Sequence, residues 1–199
     1  SVAYLSDASG EYRLVVRDPS GLDAPRAIAL DARGPSFWYS PRWSPDGARI
    51  AYTSKRLELW FVDLATSQPV LVDTDTFDHP ERGLDFDWSP DGRYLAYTKR
   101  LPNHLRAVFV HDVGARRTRQ VTDGSRDVVS ARFSPDGRYL FFAASSNYAL
   151  NTGWLDMSSF ERPVRRTLQL ALLAAGDVSP LAPEGDETPA PTAPGAAAL

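Results

Sequence analysis

The sequence predicts an all-β fold, a β-propeller built from four-stranded antiparallel blades. Three near copies of one segment carry this prediction: "RWSPDGARIAYTS", "DWSPDGRYLAYTK" and "RFSPDGRYLFFAA", which start 45 residues apart at Arg42, Asp87 and Arg132. A repeat of about 40 to 50 residues is typical of propeller blades and repeat arrays. Proline and glycine interrupt the apolar runs often enough that these runs have the length of strands and are too short for helices.

The Ser-Pro-Asp-Gly core of each copy predicts a tight turn. Proline fixes φ near the value that the second turn residue needs, aspartate hydrogen-bonds to the nearby backbone, and glycine adopts positive φ without steric cost. A turn of this kind joins two antiparallel strands into a hairpin. The first strand of each predicted blade therefore ends at the aromatic residue before the turn, which is Trp43, Trp88 or Phe133.

Three further strands follow each turn. The second strand is "ARIAYT", "RYLAYT" or "RYLFFA", the third is "ELWFVDL" or "AVFVHDV", and the fourth is "PVLVD" or "TRQVTD". The second and third strands are apolar at consecutive positions, which indicates that both of their faces are covered. A propeller meets this demand because each blade lies between two neighbours.

The first thirty residues fit the same template from its second strand onward, as "VAYLSD", "RLVVRD" and "PRAIALD". The predicted propeller arc covers residues 1–174, with blades at about 1–30 (partial), 36–73, 83–122 and 128–174, the last with an insertion at about 145–165. Residues 175–199 are predicted to be a Pro/Ala/acidic linker or disordered tail.

The predicted arc has about three and a half blades, whereas closed propellers have about 4–8. An unclosed arc leaves strand edges and blade faces uncovered. We therefore expect the chain to be a piece of a longer protein. The alternative is an open solenoid or a ring closed by oligomerisation.

Composition excludes several classes of function. The chain of 199 residues is 43% hydrophobic and 24% charged, with a formal net charge of −3 and no cysteine. Disulfides and cysteine-based zinc sites are therefore excluded, and no clustered basic face predicts nucleic-acid binding. The apolar run "LQLALLAAG" is far shorter than the ~20 residues of a membrane span. No nucleic-acid partner and no membrane span are predicted.

No catalytic residue, metal site or cofactor is predicted in this chain. The sequence has no G-x-S-x-G or S-x-x-K motif and no glycine-rich phosphate loop. The turn aspartates have a complete structural role: Asp46, Asp91 and Asp136. The three histidines have no metal-ligand spacing, and His111 is interpreted as an ordinary strand residue: His79, His104 and His111.

The innermost strands supply the candidate binding residues. In a propeller these strands line the central channel, so polar side chains on them determine what can pass or bind. The predicted substrate-channel residues stand just before the aromatic residue in each copy: Arg42, Asp87 and Arg132. Two positions upstream are Ser40, Asp85 and Ser130. A mixed-charge rim of this kind is predicted to contact peptides, and ordinary exposed strand charges are the alternative.

The repeat resembles the WD-like propeller repeat of TolB-type proteins, prolyl oligopeptidases and tricorn-type serine proteases. A more specific resemblance lies in "LDMSSFERPVRRTLQLALLAAGDVSPLAPEGDE", which is similar to the segment where a blade of tricorn-type peptidases is interrupted. The resemblance covers about residues 1–187. It implies an arc of the second, seven-bladed propeller of a tricorn-type peptidase, which acts as a filter and conduit for peptides.

In that family the catalytic serine and histidine belong to a later core, which follows a PDZ domain, and no residue of this chain matches them. The resemblance therefore implies a non-catalytic part of a serine peptidase, with peptides, the remaining blades and the catalytic core as partners, and a possible homo-oligomer of the parent. It suggests the cytoplasm, with the periplasm as alternative. Two other functions stay open: a TolB-like protein-binding module without activity, and the propeller cap of a prolyl oligopeptidase-like enzyme.

Overall fold

The computed structural model describes residues 1–30, 34–78, 84–148 and 163–182. These residues form fourteen β-strands and no α-helix, arranged in four antiparallel sheets that follow one another along the chain. Each sheet is a propeller blade, and the four blades form an arc that does not close into a ring. The predicted fold class is therefore confirmed.

Blade 1 contains β1 (Val2–Ser6), β2 (Arg13–Arg17) and β3 (Arg26–Ala29). Blade 2 contains β4 (Trp38–Trp43), β5 (Arg49–Ser54), β6 (Glu58–Asp63) and β7 (Gln68–Thr74). Blade 3 contains β8 (Phe86–Trp88), β9 (Tyr94–Arg100), β10 (Arg106–Asp112) and β11 (Arg117–Gln120). Blade 4 contains β12 (Asp127–Phe133), β13 (Tyr139–Ser145) and β14 (Thr167–Leu172).

Strand order within each sheet follows chain order, so every blade is a simple meander. The innermost strands are β4, β8 and β12, each joined by a Ser-Pro-Asp-Gly turn to the second strand of its blade. Blade 1 starts with β1, which has the sequence of a second strand, and its described residues include no innermost strand. Blade 4 has three strands in its described part, and β14 is its third.

The repeated turn has the same backbone hydrogen bonds in blades 2, 3 and 4. The amide of Gly47 donates to the carbonyl of Ser44 at 2.9 Å, and the Ser44 hydroxyl accepts from the amide of Arg49 at 2.9 Å. Gly47 has φ of 68°, which glycine adopts without the steric cost of a Cβ atom. The hydroxyl of Ser134 donates to Asp136 in the third copy and, with the Arg138 amide, holds the pKa of that carboxyl below its usual value.

The hydrophobic core consists of three clusters, one between each pair of adjacent blades. Within a strand, alternate side chains serve different clusters. Ile50 and Tyr52 pack against blade 1, whereas Ala51 between them packs against blade 3. This explains why the sequence is apolar at consecutive positions, since blades 2 and 3 each contribute side chains to two cores.

Parts of the predicted domain boundaries lie outside the described residues. Most of the expected insertion at 145–165 falls in residues 149–162, and most of the expected tail falls in residues 183–199. The structure therefore describes only residues 145–148 and 163–165 of the expected insertion and residues 175–182 of the expected tail. Within the described residues, no helix has the length and apolar character needed to cross a membrane.

Candidate functional site on the innermost strands

The three predicted channel residues occupy equivalent places on the innermost strands. Each lies opposite the same position of the second strand of its blade: Arg42 opposite Ala51, Asp87 opposite Ala96, and Arg132 opposite Phe141. They therefore form a row across blades 2, 3 and 4, which we call the axial row. The register of the repeat, which is visible in the sequence, produces this alignment.

Arg42 connects blade 2 to the innermost strand of blade 3. Its guanidinium Nη1 donates to the carbonyl of Phe86 at 2.7 Å, and Cζ lies 5.0 Å from the centre of the Phe86 ring. The indole N–H of Trp88 donates in return to the Arg42 carbonyl at 3.3 Å. A cation over an aromatic face adds attraction to the hydrogen bond. Arg42 is exposed, so its guanidinium still faces solvent.

Asp87 and Arg132 make the corresponding connection between blades 3 and 4. The amide of Phe133 donates to Asp87 Oδ2 at 3.0 Å. Arg132 Nη2 donates to Asp85 Oδ1 at 2.8 Å, in an ion pair whose two side chains are each more than one-third exposed. Two blade interfaces are thus linked by polar contacts along the axial row, in addition to their apolar cores.

The electrostatics of the axial row are mixed. Burial raises the pKa of Asp87, and the Phe133 amide and the charges of Arg132 and Arg42 only partly offset this effect. Together with the neighbouring Asp85, the three residues of the axial row provide two cations and two carboxylates. Such a surface offers charged donors and acceptors to a polar chain, and it contains no nucleophile or metal ligand set.

Two of the innermost strands carry a bulge beside the axial row. The register of β4 shifts between Tyr39 and Arg42, and that of β12 shifts between Val129 and Arg132. Ser40 and Ser130 have φ of 53° and 58°. Residues other than glycine rarely adopt this region of backbone conformation. Bulges bend a strand and re-aim the side chains that follow.

A polar cleft of about 280 Å³ opens between blades 3 and 4, beside the axial row. It is lined by Asp75, Asp85, Thr98, Arg100, Arg106, Val129 and Ser130. Asp85 and Ser130, the upstream residues of the sequence prediction, both border this cleft. Asp75 binds Arg100 Nη1 at 2.8 Å in an ion pair with both side chains almost fully buried.

Behind the cleft, the buried carboxylate of Asp127 is shared by two arginines. Arg106 donates to it from Nε at 2.9 Å and Nη2 at 2.7 Å, and Arg166 donates from Nη2 at 2.9 Å. Burial acts to raise the pKa of Asp127, but the hydrogen bonds and charges of these arginines outweigh it and hold the pKa below its usual value. The cluster ties β10 of blade 3 to blade 4.

The sequence prediction missed four charged residues in and behind the cleft. Three of them lie at strand ends, namely Arg100, Arg106 and Asp127, and Asp75 directly follows β7. No equivalent set recurs in the other copies of the repeat. Comparison of the copies of the repeat identifies positions that the blades share. It does not identify charges that occur at only one blade interface. The available signal was a set of opposite charges bracketing strands that are otherwise apolar.

The histidines provide no metal centre in the part of the chain that the structure describes. His111 is buried, with Nδ1 2.9 Å from the Thr118 hydroxyl and Nε2 without a partner among the described residues. Burial lowers its pKa, which favours the neutral ring. His104 stacks on Phe77 at 4.2 Å, and His79 lies outside the described residues. No group of three or more metal-binding side chains occurs in the described ranges.

Comparison with known proteins gives partial sequence matches and a broad match of fold. No family model matches the chain. The Tol-Pal system protein TolB of Azoarcus sp. (strain BH72) is 39% identical over 74 residues, which are 36% of this chain and 16% of that protein. TolB of Dechloromonas aromatica (strain RCB) is 38% identical over 74 residues. The chain thus spans a small part of the curated relatives it matches.

Solved structures match over most of the chain. A crystal structure of the tricorn protease gives a TM-score of 0.69 at 18% identity, covering 96% of this chain and 19% of that one. TolB from Acinetobacter baumannii gives 0.51 at 23% identity, covering 87% of this chain and 41% of that one. At these identities the likeness concerns fold alone. The chain is therefore similar, as a β-propeller arc, to the tricorn protease and to TolB.

Proposed function

We propose that this chain is a non-catalytic propeller segment of a tricorn-like serine peptidase, which gates or channels peptides to a catalytic core outside the chain. The single observation that carries the proposal is the axial row, because charged side chains stand in register on the innermost strands of blades 2, 3 and 4. The structural likeness to the tricorn protease supports it at the level of fold. A cytoplasmic location is part of the proposal, with the periplasm as alternative.

The axial row has the chemistry of a peptide-contacting surface. Arg42 and Arg132 present cationic donors for backbone carbonyls, acidic side chains or a free C-terminal carboxylate. Asp85 and Asp87 present acceptors for amides and for basic side chains. Because the charges alternate in sign, contacts of both kinds are available along one extended peptide.

The proposal is tested by peptide binding to the double variant Arg42→Ala/Arg132→Ala. Binding of fluorescein-labelled short peptides, with free or amidated C-termini, is followed by fluorescence anisotropy. We expect the double variant to raise the dissociation constant about tenfold or more, since one charge-assisted hydrogen bond contributes about 1.5–3 kcal/mol. A larger loss for peptides with a free carboxylate would identify the C-terminus as the group that the arginines bind.

The matched control is Arg117→Ala/Arg119→Ala, which removes two arginines from the exposed outer strand β11. This control changes the net charge equally but leaves the axial row intact. Equal weakening of peptide binding by the two double variants would show that binding depends on net charge and not on the axial row. Unchanged peptide binding in Arg42→Ala/Arg132→Ala would show that the axial row does not contact peptides. This result would contradict the proposal.

The peptidase parent is tested separately by sequencing the genomic region on both sides of this reading frame. Further Ser-Pro-Asp-Gly blades followed by PDZ and processing-peptidase motifs support a tricorn-like parent. A downstream G-x-S-x-G motif would instead indicate the α/β-hydrolase domain of a prolyl oligopeptidase-like enzyme.

A second candidate is a TolB-like module that binds folded protein partners without catalysis. The 39% identity to TolB over 74 residues favours it. Under this alternative, short peptides bind weakly whatever their termini, and co-purification from cells recovers a folded partner whose binding the Arg42→Ala/Arg132→Ala variant changes. The peptide titration therefore separates the two candidates.

A further inference from the structure

The interface between blades 2 and 3 buries a histidine at a position where other blades have an apolar residue. His111 of β10 lies opposite Leu95 of β9 and is 4% exposed. Val62 holds the equivalent place in blade 2 and Ala171 in blade 4, each opposite the equivalent residue of the second strand. The His111 ring lies 6.3 Å from the ring of Phe61 in blade 2. A titratable ring is therefore packed directly against the neighbouring blade.

The two ring nitrogens of His111 have unequal surroundings. Nδ1 lies 2.9 Å from the hydroxyl of Thr118 on β11, whereas Nε2 is buried and has no hydrogen-bond partner in the part of the chain that the structure describes. The neutral ring carries a single N–H group, which Thr118 can accept. The imidazolium carries an N–H group on both nitrogens, so its Nε2–H would be a buried donor without an acceptor. The closed interface therefore favours the neutral ring.

The carboxylate that blade 2 directs toward His111 is already engaged by other groups. Asp73 of β7 accepts a hydrogen bond from the Tyr97 hydroxyl at 2.7 Å and one from Lys99 Nζ at 2.7 Å. Burial and the contact with Asp73 raise the pKa of Tyr97, so this phenol stays neutral. Burial lowers the pKa of His111, and the charges of Asp112 and Asp73, which act to raise it, do not compensate.

The other charged side chains of the packed elements do not supply a partner for the ring. On β11, Arg117 and Arg119 flank the residue that contacts His111, so they point to the other side of the strand and line a pocket between blades 3 and 4. On β6, Asp63 is two residues after the phenylalanine that contacts His111. It is paired with Arg49 of β5, whose Nε lies 3.5 Å from Asp63 Oδ2.

We propose that His111 is a pH-sensitive switch, in which proton uptake at the buried ring loosens the packing of blade 2 against blade 3. In the opened state the ring reaches water and has the ordinary pKa of about 6.5, whereas the pKa is lower in the closed state. The closed interface therefore has its full stability above about pH 6.5 and loses it as the pH falls from there toward the pKa of the closed state. Uptake of one proton can change the opening equilibrium by up to about tenfold per pH unit. This inference does not rest on the proposed function.

The switch would act on the axial row as well as on the outer strands. Phe86 belongs to the same apolar cluster as Phe61, and its carbonyl accepts the hydrogen bond from Arg42 across the interface. Looser packing of blade 2 against blade 3 therefore weakens the link between Arg42 and β8. The pH would thereby control how the charged side chains of these two blades are aligned.

The test is hydrogen exchange of the 199-residue chain at about pH 7.5 and about pH 5.5, followed by mass spectrometry and corrected for the intrinsic pH dependence of amide exchange. At the lower pH we expect opening of β7, β10 and β11 to increase about five- to tenfold, while β1 and β2 change little. His111→Val, which introduces the residue of the equivalent position in blade 2, should abolish this increase. The matched control is His104→Asn, which should retain it. His104 is an exposed histidine of the same blade, and asparagine tolerates its φ of 63°.

Proton NMR of the isotope-labelled wild-type chain gives a second measurement that does not depend on the folding of a variant. The ring protons of His111, assigned by through-bond correlation, should titrate below about pH 6.5. A pKa of His111 at or above that value overturns the proposal. It is also overturned if acid does not increase opening, if the increase is equal in all blades, or if it persists in His111→Val.

Discussion

Asp127 illustrates how a single carboxylate can join two blades. It is fully buried at the start of β12 and accepts hydrogen bonds from the guanidinium groups of Arg106 and Arg166 and from the amide of Arg106. Arg106 and Arg166 also flank the ring of Tyr148, with Cζ at 5.3 and 5.5 Å from its centre. Removal of the carboxylate would leave two largely buried cations without the anion they share.

We expect Asp127→Asn to lower the free energy of unfolding by about 3 kcal/mol, because loss of one partner from a buried ion pair leaves buried charge uncompensated. The substitution keeps the size of the side chain, so packing changes little. Urea denaturation provides the measurement. Since the pKa of Asp127 is held below the ordinary 3.8, its contribution is present above pH 3.8 and is lost as the pH falls through the folded value. Wild type and variant should therefore converge in acid.

Asp85→Asn is the matched control for this prediction. Asp85 also pairs with an arginine of blade 4, Arg132, but both side chains are more than one-third exposed. An exposed ion pair contributes about 0–1 kcal/mol. Equal losses for the two variants would contradict the view that burial makes Asp127 the stronger link.

At the residue scale, the repeat predicted the axial row but not the Asp127 cluster. Arg42, Asp87 and Arg132 could be aligned because each stands just before an aromatic residue and the same turn. Asp127 has no counterpart in the repeat, and its partners come from β10 and from the residue before β14. Contacts between distant segments depend on how blades stack, and the sequence of one blade does not contain that information.

At the scale of the element, the Ser-Pro-Asp-Gly turns were predicted from local chemistry alone, and the structure shows the expected positive φ at their glycines. What the sequence did not predict is that one turn contacts another. A Cβ atom at Gly92 would lie 3.0 to 3.2 Å from the carboxyl group of Asp46 in the turn of blade 2. At Gly47, the equivalent residue of blade 2, no heavy atom lies within 4 Å of such a Cβ.

This difference predicts unequal effects of one substitution in two equivalent turns. Gly47→Ala and Gly92→Ala both place a Cβ at φ of 68°, at a cost of about 1–2 kcal/mol. Gly92→Ala should cost about 1 kcal/mol more, because Asp46 is held by its own turn and must move. Chemical denaturation of the two variants measures the difference. Addition of Asp46→Ala should remove the extra loss of stability caused by Gly92→Ala. Equal losses of stability in the single variants Gly47→Ala and Gly92→Ala would show that the turns do not constrain each other.

At the scale of the whole molecule, the sequence predicted an arc of stacked blades because its second and third strands are apolar on both faces. It did not identify which side chains form each interface, since Ile50 and Ala51 look equally suited to either. The order in which the blades stack determines the interface to which each residue belongs. Ile50 faces the preceding blade, and Ala51 faces the following blade. Only with that assignment can Tyr52, Tyr97 and Phe142 be recognised as one position in three successive interfaces.

Unequal coverage of the blades predicts unequal local stability. Blades 2 and 3 each contribute side chains to two of the three apolar clusters, whereas the described residues of blades 1 and 4 each contribute to one. In stacked repeat structures, stability is approximately a sum of repeat and nearest-neighbour interface terms, and local opening requires less free energy where contacts are fewer. Amides of β5, β6, β9 and β10 should therefore exchange with deuterium at least about tenfold more slowly than those of β1, β2, β13 and β14.

The measurement is hydrogen exchange of the 199-residue chain, followed by mass spectrometry. Uniform protection across all four blades would mean that the arc unfolds as one cooperative unit, which would contradict this prediction.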